Sequence, residues 1–114
     1  MKKDCVFCKI IAGEIPSEKV YEDNLMIIIK DINPQVKKHF LLIPKKHYAN
    51  IVEMSLEEAV ELGESLKTLS TLVDDLGLQD GFRLVSNKGG NARQTVEHLH
   101  IHILGGELLS DKMG

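Results

Sequence analysis

The sequence predicts an α+β fold in which one antiparallel sheet carries one long helix on a face, with a short helix near the amino terminus. Three observations predict it. Short apolar segments bounded by turn residues occur in both halves of the chain, one long segment repeats its apolar residues at helical spacing, and no repeat or linker divides the sequence. A length of 114 residues fits one domain, which we expect to span residues 1–114.

The elements follow in order along the chain. The short helix ends at Gly13, and the third of the strands that follow it stops at Pro44. Ser55 and Glu58 have the spacing of a capping box and open the long helix, which Gly77 is placed to end. The predicted helices are residues 9–13 and 56–76, and the predicted strands are residues 20–22, 25–30, 38–44, 82–87 and 99–104, with a glycine-containing loop at residues 88–91.

Composition and charge exclude several classes of partner. A net charge of −3 gives no basic surface for nucleic acid, and aromatic residues make up only 4% of the chain, too few for a base-stacking platform. No apolar run approaches the ~18 residues of a membrane span, and no signal-peptide pattern follows the start, so we expect a cytoplasmic protein without a membrane partner. Two cysteines in that compartment favour metal ligands or catalytic thiols over a disulfide.

Three of the five histidines alternate with apolar residues in the run His98-Leu99-His100-Ile101-His102-Ile103. In a strand this alternation points the three imidazoles to one face, about 6.6 Å apart along the chain. Burying three rings that titrate alike is costly unless they have partners. Imidazole also attacks phosphorus and carbonyl centres and ligates metals. The run therefore predicts a functional site.

The segment 94–106, which contains this run, resembles the signature of the histidine triad (HIT) superfamily. The segments 4–16, 31–35 and 39–47 resemble the Hint branch of that superfamily, the nucleoside phosphoramidate hydrolases, and occur in the same order. The resemblance covers nearly the whole chain. It implies the α+β fold above, with the sheets of two copies joined across a two-fold dimer.

The resemblance also implies an enzyme that acts at the α-phosphate of purine nucleoside phosphoramidates or related nucleotides. His100 is the implied nucleophile, which forms a nucleoside phosphoryl-histidine while its other ring nitrogen bonds to the carbonyl of His98. His102 is implied to donate a hydrogen bond to the phosphate or the leaving group. Two alternatives stay open: a nucleotide-binding interaction protein with incidental turnover, and a dinucleoside polyphosphate hydrolase.

Further residues fall where the family binds its nucleotide. Asp31 matches the carboxylate that accepts from the ribose hydroxyls, although a turn-forming aspartate is the plain alternative. Glycine-rich loops such as the one before the triad are often only permissive turns. The resemblance implies phosphate contacts from Asn87, Gln94, Thr95 and His102, and a base sandwiched by Phe7, Ile10, Ile29, Ile32 and Leu41.

The pair Cys5 and Cys8 has the two-residue spacing of two corners of a tetrahedral zinc site, or is two buried thiols. Zinc-containing members of the HIT and related families add two histidines, which carry over to His39 and His98. The expected metal is therefore a structural Zn²⁺ with four protein ligands. A single metal held by all three triad histidines is the alternative. His47 reads as part of a solvated turn, without a role.

A homodimer is the last expectation. The core of a chain this short is modest, and two-fold pairing is the commonest closed assembly. The long helix offers Leu62, Leu66 and Leu69, with Gly63 allowing close approach, and the resemblance implies an interface through this helix and the strand Phe82–Val85. The carboxyl-terminal residues 107–114 depart from the Hint branch, because they contain neither the tryptophan nor the proline of its tail.

Overall fold

Five antiparallel strands form one sheet in the computed structural model, which describes residues 4–112. The strand order is β1-β2-β3-β5-β4, so β1 and β4 are the edges. The predicted α+β class is confirmed. In chain order the elements are α1 (Val6–Ile11), β1 (Lys19–Glu22), β2 (Met26–Lys30), β3 (Lys38–Pro44), α2 (Leu56–Thr71), β4 (Phe82–Val85), a 3-10 turn (Gly90–Ala92) and β5 (Ile101–Gly105).

Both helices differ from their predicted bounds. The thiol of Cys5 accepts a hydrogen bond from the N–H of Cys8 and so starts α1 at Val6, three residues before the predicted start at residue 9. The predicted capping box of Ser55 and Glu58 is present at the start of α2. That helix ends at Thr71, five residues before the predicted end, and turns carry the chain on to Gly77 at a φ of +75°.

Both faces of the sheet are covered. Side chains along its central strands point alternately to one face and to the other, so these strands contribute to two apolar clusters. One face packs on α2, with Met26 and Leu42 among the buried residues there. The opposite face packs on α1, where Ile27 and Leu41 meet Phe7. The prediction of a helix on one face only was therefore incomplete. No helix within residues 4–112 is long and apolar enough to cross a membrane.

The leucines predicted to face a second copy belong to the protein's own core. Leu62 and Leu69 are buried beneath α2, and Leu66 packs against the same cluster. Leu62 and Leu69 therefore have almost no surface left for a partner, and their assignment to a dimer patch was wrong. Leu66 is half-buried. The apolar residues that α2 exposes are instead Leu56 and Val60, one turn apart.

Candidate functional site

The histidine run lies on the face of the sheet that α1 covers. His102 on β5 stands opposite Leu41 on β3, whose side chain belongs to the α1 cluster. The ring of Phe7 on α1 stacks edge-on against His98 and His100, at centroid distances of 5.9 and 4.9 Å. Only His102 is in the strand proper, because β5 begins at Ile101 rather than at the predicted residue 99. The alternation nevertheless continues backwards through His100 to His98.

The orientation of His100 is fixed by its own backbone. Its Nδ1 lies 2.8 Å from the carbonyl oxygen of His98, which can only accept, so Nδ1 carries the proton and donates. The lone pair is therefore on Nε2. Burial, with the residue only 8% exposed, lowers the pKa of His100 below its ordinary value and keeps the ring neutral near pH 7. A neutral imidazole with a held Nδ1–H and an available Nε2 is the form that attacks an electrophile.

A chain of hydrogen bonds fixes the tautomer of His102. The N–H of Gln35 donates to Nδ1 of His39 at 3.0 Å, so the proton of neutral His39 is on Nε2. That Nε2–H donates to Nδ1 of His102 at 2.9 Å, which leaves His102 with its own proton on Nε2. Burial is the main cause that lowers the pKa of both rings, and Asp31 opposes the shift at each. His102 is thus a neutral donor beside His100, with ring centroids 5.2 Å apart.

The thiols meet two other imidazole nitrogens. Sγ of Cys5 and Sγ of Cys8 lie 3.4 and 3.6 Å from Nδ1 of His98. Nδ1 of His47 lies 3.4 Å from Sγ of Cys8 and 3.1 Å from Nδ1 of His98. All four donor atoms lie within 4.8 Å of one another. Donors around a tetrahedral zinc are separated by roughly 3.3–3.8 Å, so the four are spaced to hold a metal ion.

The tautomer of His98 fits the same use. Its Nε2 is 2.8 Å from the carbonyl oxygen of Pro44 and donates to it, which puts the lone pair on Nδ1 toward the thiols. A metal-bound histidine usually donates its second ring N–H in this way. Burial lowers the pKa of His98 to about 4, so the ring is neutral and able to ligate near pH 7.

His39, predicted as a metal ligand, is at a different place. Its Nε2 contacts Nδ1 of His102 and, at 3.3 Å, a carboxylate oxygen of Asp31. His47 takes the place of His39 in the candidate donor group, because the thiols are at the other end of β3. Asp31, His39 and His102 also form a compact group of donors. That group is poorly suited to a metal, since coordination through Nε2 of His39 would force its Nδ1 proton against the N–H of Gln35.

The residues predicted to bind the base are mostly together. Phe7, Ile10, Ile29 and Leu41 belong to the buried α1 cluster beside His100, whereas Ile32 is 89% exposed and is not part of it. One carboxylate oxygen of Asp31 accepts from the N–H of Asn33, and the other faces His39.

The residues predicted to contact phosphate are separated. Asn87 lines a cavity of about 800 Å³ together with His39 and His102. Thr95 is exposed and lines a different recess, next to Cys5 and His47. The amide nitrogen of Gln94 donates to the carbonyls of Ala49 and Val96, and its oxygen accepts from the N–H of Gly89. Both amide hydrogens of Gln94 are used on backbone carbonyls, one of them in the segment that follows β3, so the side chain holds the loop against that segment. The phosphate contact of Gln94 stays a prediction.

The similarity of the chain to known proteins identifies its family. The model of the HIT domain matches residues 12–108. The chain belongs to the HIT family. An uncharacterized HIT-like protein of Synechocystis sp. is 47% identical over 110 residues, which are 96% of each chain. Protein HitA of Neisseria gonorrhoeae is 44% identical over 102 residues, 90% of this chain and 95% of HitA.

Solved structures of HIT proteins share the fold. A HIT family hydrolase from Clostridium thermocellum superposes with a TM-score of 0.93 at 46% identity and covers 99% of both chains. A hypothetical histidine triad nucleotide-binding protein from Sulfolobus tokodaii superposes with a TM-score of 0.79 at 39% identity, over 89% of this chain and 68% of that one. The predicted membership of the HIT superfamily is therefore confirmed.

Proposed function

We propose that this HIT protein hydrolyses purine nucleotides, with nucleoside phosphoramidates of the Hint type as the substrate class, through a phosphoryl-histidine at His100. The supporting observation is the pair of tautomers, a lone pair on Nε2 of His100 beside an Nε2–H on His102. The similarity to a HIT family hydrolase and to a histidine triad nucleotide-binding protein points the same way.

In the proposed reaction Nε2 of His100 attacks the α-phosphorus. The new N–P bond forms as the bond to the leaving amine breaks, and the amine takes a proton from water. The Nε2–H of His102 donates a hydrogen bond to the phosphoryl group and stabilises its charge. A second water then attacks phosphorus as the N–P bond breaks, which releases the nucleoside monophosphate and frees His100. The proton that this water loses goes to the hydroxide left when the first water protonated the amine. The carboxylate of Asp31 accepts hydrogen bonds from the ribose hydroxyls. Phe7 and Leu41 contact the base, and Asn87 contacts the phosphate.

The test compares turnover of adenosine 5′-phosphoramidate with that of diadenosine polyphosphates, using wild type, His100→Ala and the exposed-surface control Lys67→Ala. We expect the phosphoramidate to be the better substrate, the control to match wild type and His100→Ala to be inactive. Preference for diadenosine polyphosphates would favour the polyphosphate hydrolase. Binding of adenosine monophosphate without turnover of either substrate would favour a nucleotide-binding interaction protein.

We further propose that the thiol–imidazole cluster of Cys5, Cys8, His47 and His98 holds one structural Zn²⁺. The donor spacing and the His98 tautomer support this, and four protein donors leave no open position for catalysis. Elemental analysis of freshly purified, untagged protein should find about one zinc per chain, and none in Cys5→Ser/Cys8→Ser. Wild-type protein purified without chelator and lacking zinc would refute the assignment.

A homodimer is the remaining part of the proposal. Leu56 and Val60 on α2 are 83% and 56% exposed, and the edge strand β4 exposes Phe82 and Leu84. Large apolar side chains and an unpaired strand edge are what a two-fold interface covers. Sedimentation equilibrium at micromolar concentration should give about twice the 12.8 kDa of one chain, and a mass near 12.8 kDa would refute it.

A further inference from the structure

Arg93 has a backbone conformation that L residues disfavour. Its φ is +63°, and within residues 4–112 no other residue except glycine has a positive φ. Glycine adopts this left-handed conformation readily, whereas a Cβ disfavours it. The N–H of Arg93 donates to the carbonyl of Gly90 at 3.0 Å, and the amide of Gln94 holds the loop from the other side. A strained residue that its surroundings hold in place is a reason to ask what its side chain does.

The side chain of Arg93 is not used to stabilise the fold. It is exposed, and its guanidinium makes no hydrogen bond or ion pair with the residues between Asp4 and Lys112 that the structure describes. It lines the cavity of about 800 Å³ that also contains His102 and Asn87. An arginine with no polar partner among residues 4–112, on the wall of a cavity shared with His102, is positioned to bind an anion.

The charges around this cavity are mostly positive, although the whole chain carries −3. Arg83, Arg93 and Lys112 line it, and Asp111 is the one carboxylate among the lining residues. The guanidinium of Arg83 donates to the backbone carbonyls of Ser110 and Lys112, which carry no formal charge to neutralise it. A concave surface lined by one sign of charge attracts ligands of the opposite sign.

The cavity and the apolar cluster suit different parts of a substrate. His100 is packed against Phe7 on the apolar side, and His102 connects it to the charged cavity. The proposed reaction puts the base against the apolar cluster and the phosphorus at Nε2 of His100, which leaves the cavity beyond His102 for the leaving group. We propose that Arg93 is a specificity-determining residue that binds an anionic substituent, a carboxylate or a phosphate, on the leaving group. This inference rests on the proposed function.

The test uses two adenosine 5′-phosphoramidates that differ only in charge, one made with glycine and one with glycinamide. The measured quantity is the ratio of kcat/KM for the carboxylate substrate to that for the carboxamide. We expect wild type to favour the carboxylate, Arg93→Gln to lower the ratio about tenfold, and Arg93→Lys to retain most of it. The preference should also weaken as salt is raised. A second pair of substrates, otherwise equal but with a phosphate in place of the carboxylate, shows which of the two anions Arg93 binds.

Arg93→Gly separates charge from backbone conformation, because glycine adopts the observed φ without strain. It should lower the ratio as far as Arg93→Gln does, while Lys67→Gln on exposed α2 should leave it unchanged. Equal turnover of the two substrates by wild type, or an unchanged ratio in Arg93→Gln, would overturn the proposal.

Calorimetric binding of the same two compounds separates this inference from the proposed function. If wild type binds the carboxylate compound more tightly and Arg93→Gln does not, but neither compound is turned over, the anion site stands and the hydrolase proposal fails. If turnover occurs and binding shows no such preference in wild type, the hydrolase stands and the role of Arg93 is refuted.

Discussion

Replacing His47 by glutamine removes one of four donors from the thiol–imidazole cluster, and we expect the protein to lose its zinc and much of its stability. Helix α1 has only six residues, too few to be stable by itself. A metal present at 100 to 1,000 times its Kd stabilises the folded state by ~2.7–4.1 kcal/mol. For a domain of this size, loss of that amount lowers Tm by about 10–15 °C.

The measurement is zinc content together with thermal unfolding, and His39→Gln is the matched control. His39 is also buried on the α1 face, but it contacts His102 rather than the thiols. We expect His39→Gln to retain zinc and to lose turnover, because the proton on His102 is then no longer fixed. Adding His47→Gln to Cys5→Ser/Cys8→Ser should lower Tm little further, because the two cysteine substitutions have already removed the same metal site. Zinc retained in His47→Gln and lost in His39→Gln would refute the assignment.

Three other outcomes are expected. His100→Ala should abolish turnover yet change the Kd of a nucleoside monophosphate by less than about tenfold, or ~1.4 kcal/mol, and a residual rate above a few per cent would exclude His100 as nucleophile. The free energy of unfolding of metal-free protein should fall between pH 7.5 and 5.5. Burial lowers the pKa of His39, His100 and His102, so the unfolded chain binds protons that the folded chain excludes. Each such histidine contributes up to ~1.4 kcal/mol per pH unit below about 6.5, and denaturant titrations showing equal stability at both pH values would contradict this. Val60→Glu should give the mass of one chain in sedimentation equilibrium and Lys67→Glu that of two; a monomeric Lys67→Glu would point to a general charge effect.

The strands were predictable because prolines and turn residues bound them, whereas both helices were predicted with wrong bounds. Pro44 ends β3 as expected from its missing N–H. The start of α1 was missed because a cysteine acts as its N-cap, which helix-start rules do not anticipate. The length of α2 was overestimated because Leu72 and Leu76 pack on the core from turns, so that the apolar spacing continues after the helix has ended.

The choice between His39 and His47 depended on strand register, which the sequence does not provide. In the antiparallel pair of β3 and β5, His39 stands opposite Leu104. His98 is six residues before Leu104, or about 20 Å along the strand direction. The end of β3 is instead beside the start of β5, where Leu42 pairs with Ile101, so the segment after β3 brings His47 to His98. Knowing the antiparallel register of β3 and β5 would have been enough to select His47.

His98 joins the thiol–imidazole cluster to the reacting histidine. Its side chain faces the two thiols, while its backbone carbonyl holds the Nδ1–H of His100. Both contacts belong to a residue that lies before β5 begins, outside the hydrogen-bonded ladder of the sheet. The ladder alone therefore does not fix the position of that carbonyl. Leu99 fixes it from one side, through its N–H to the carbonyl of Tyr48, and the His98 side chain does so from the other. A metal ion held by that side chain would stabilise the backbone that orients His100, without itself contacting the substrate.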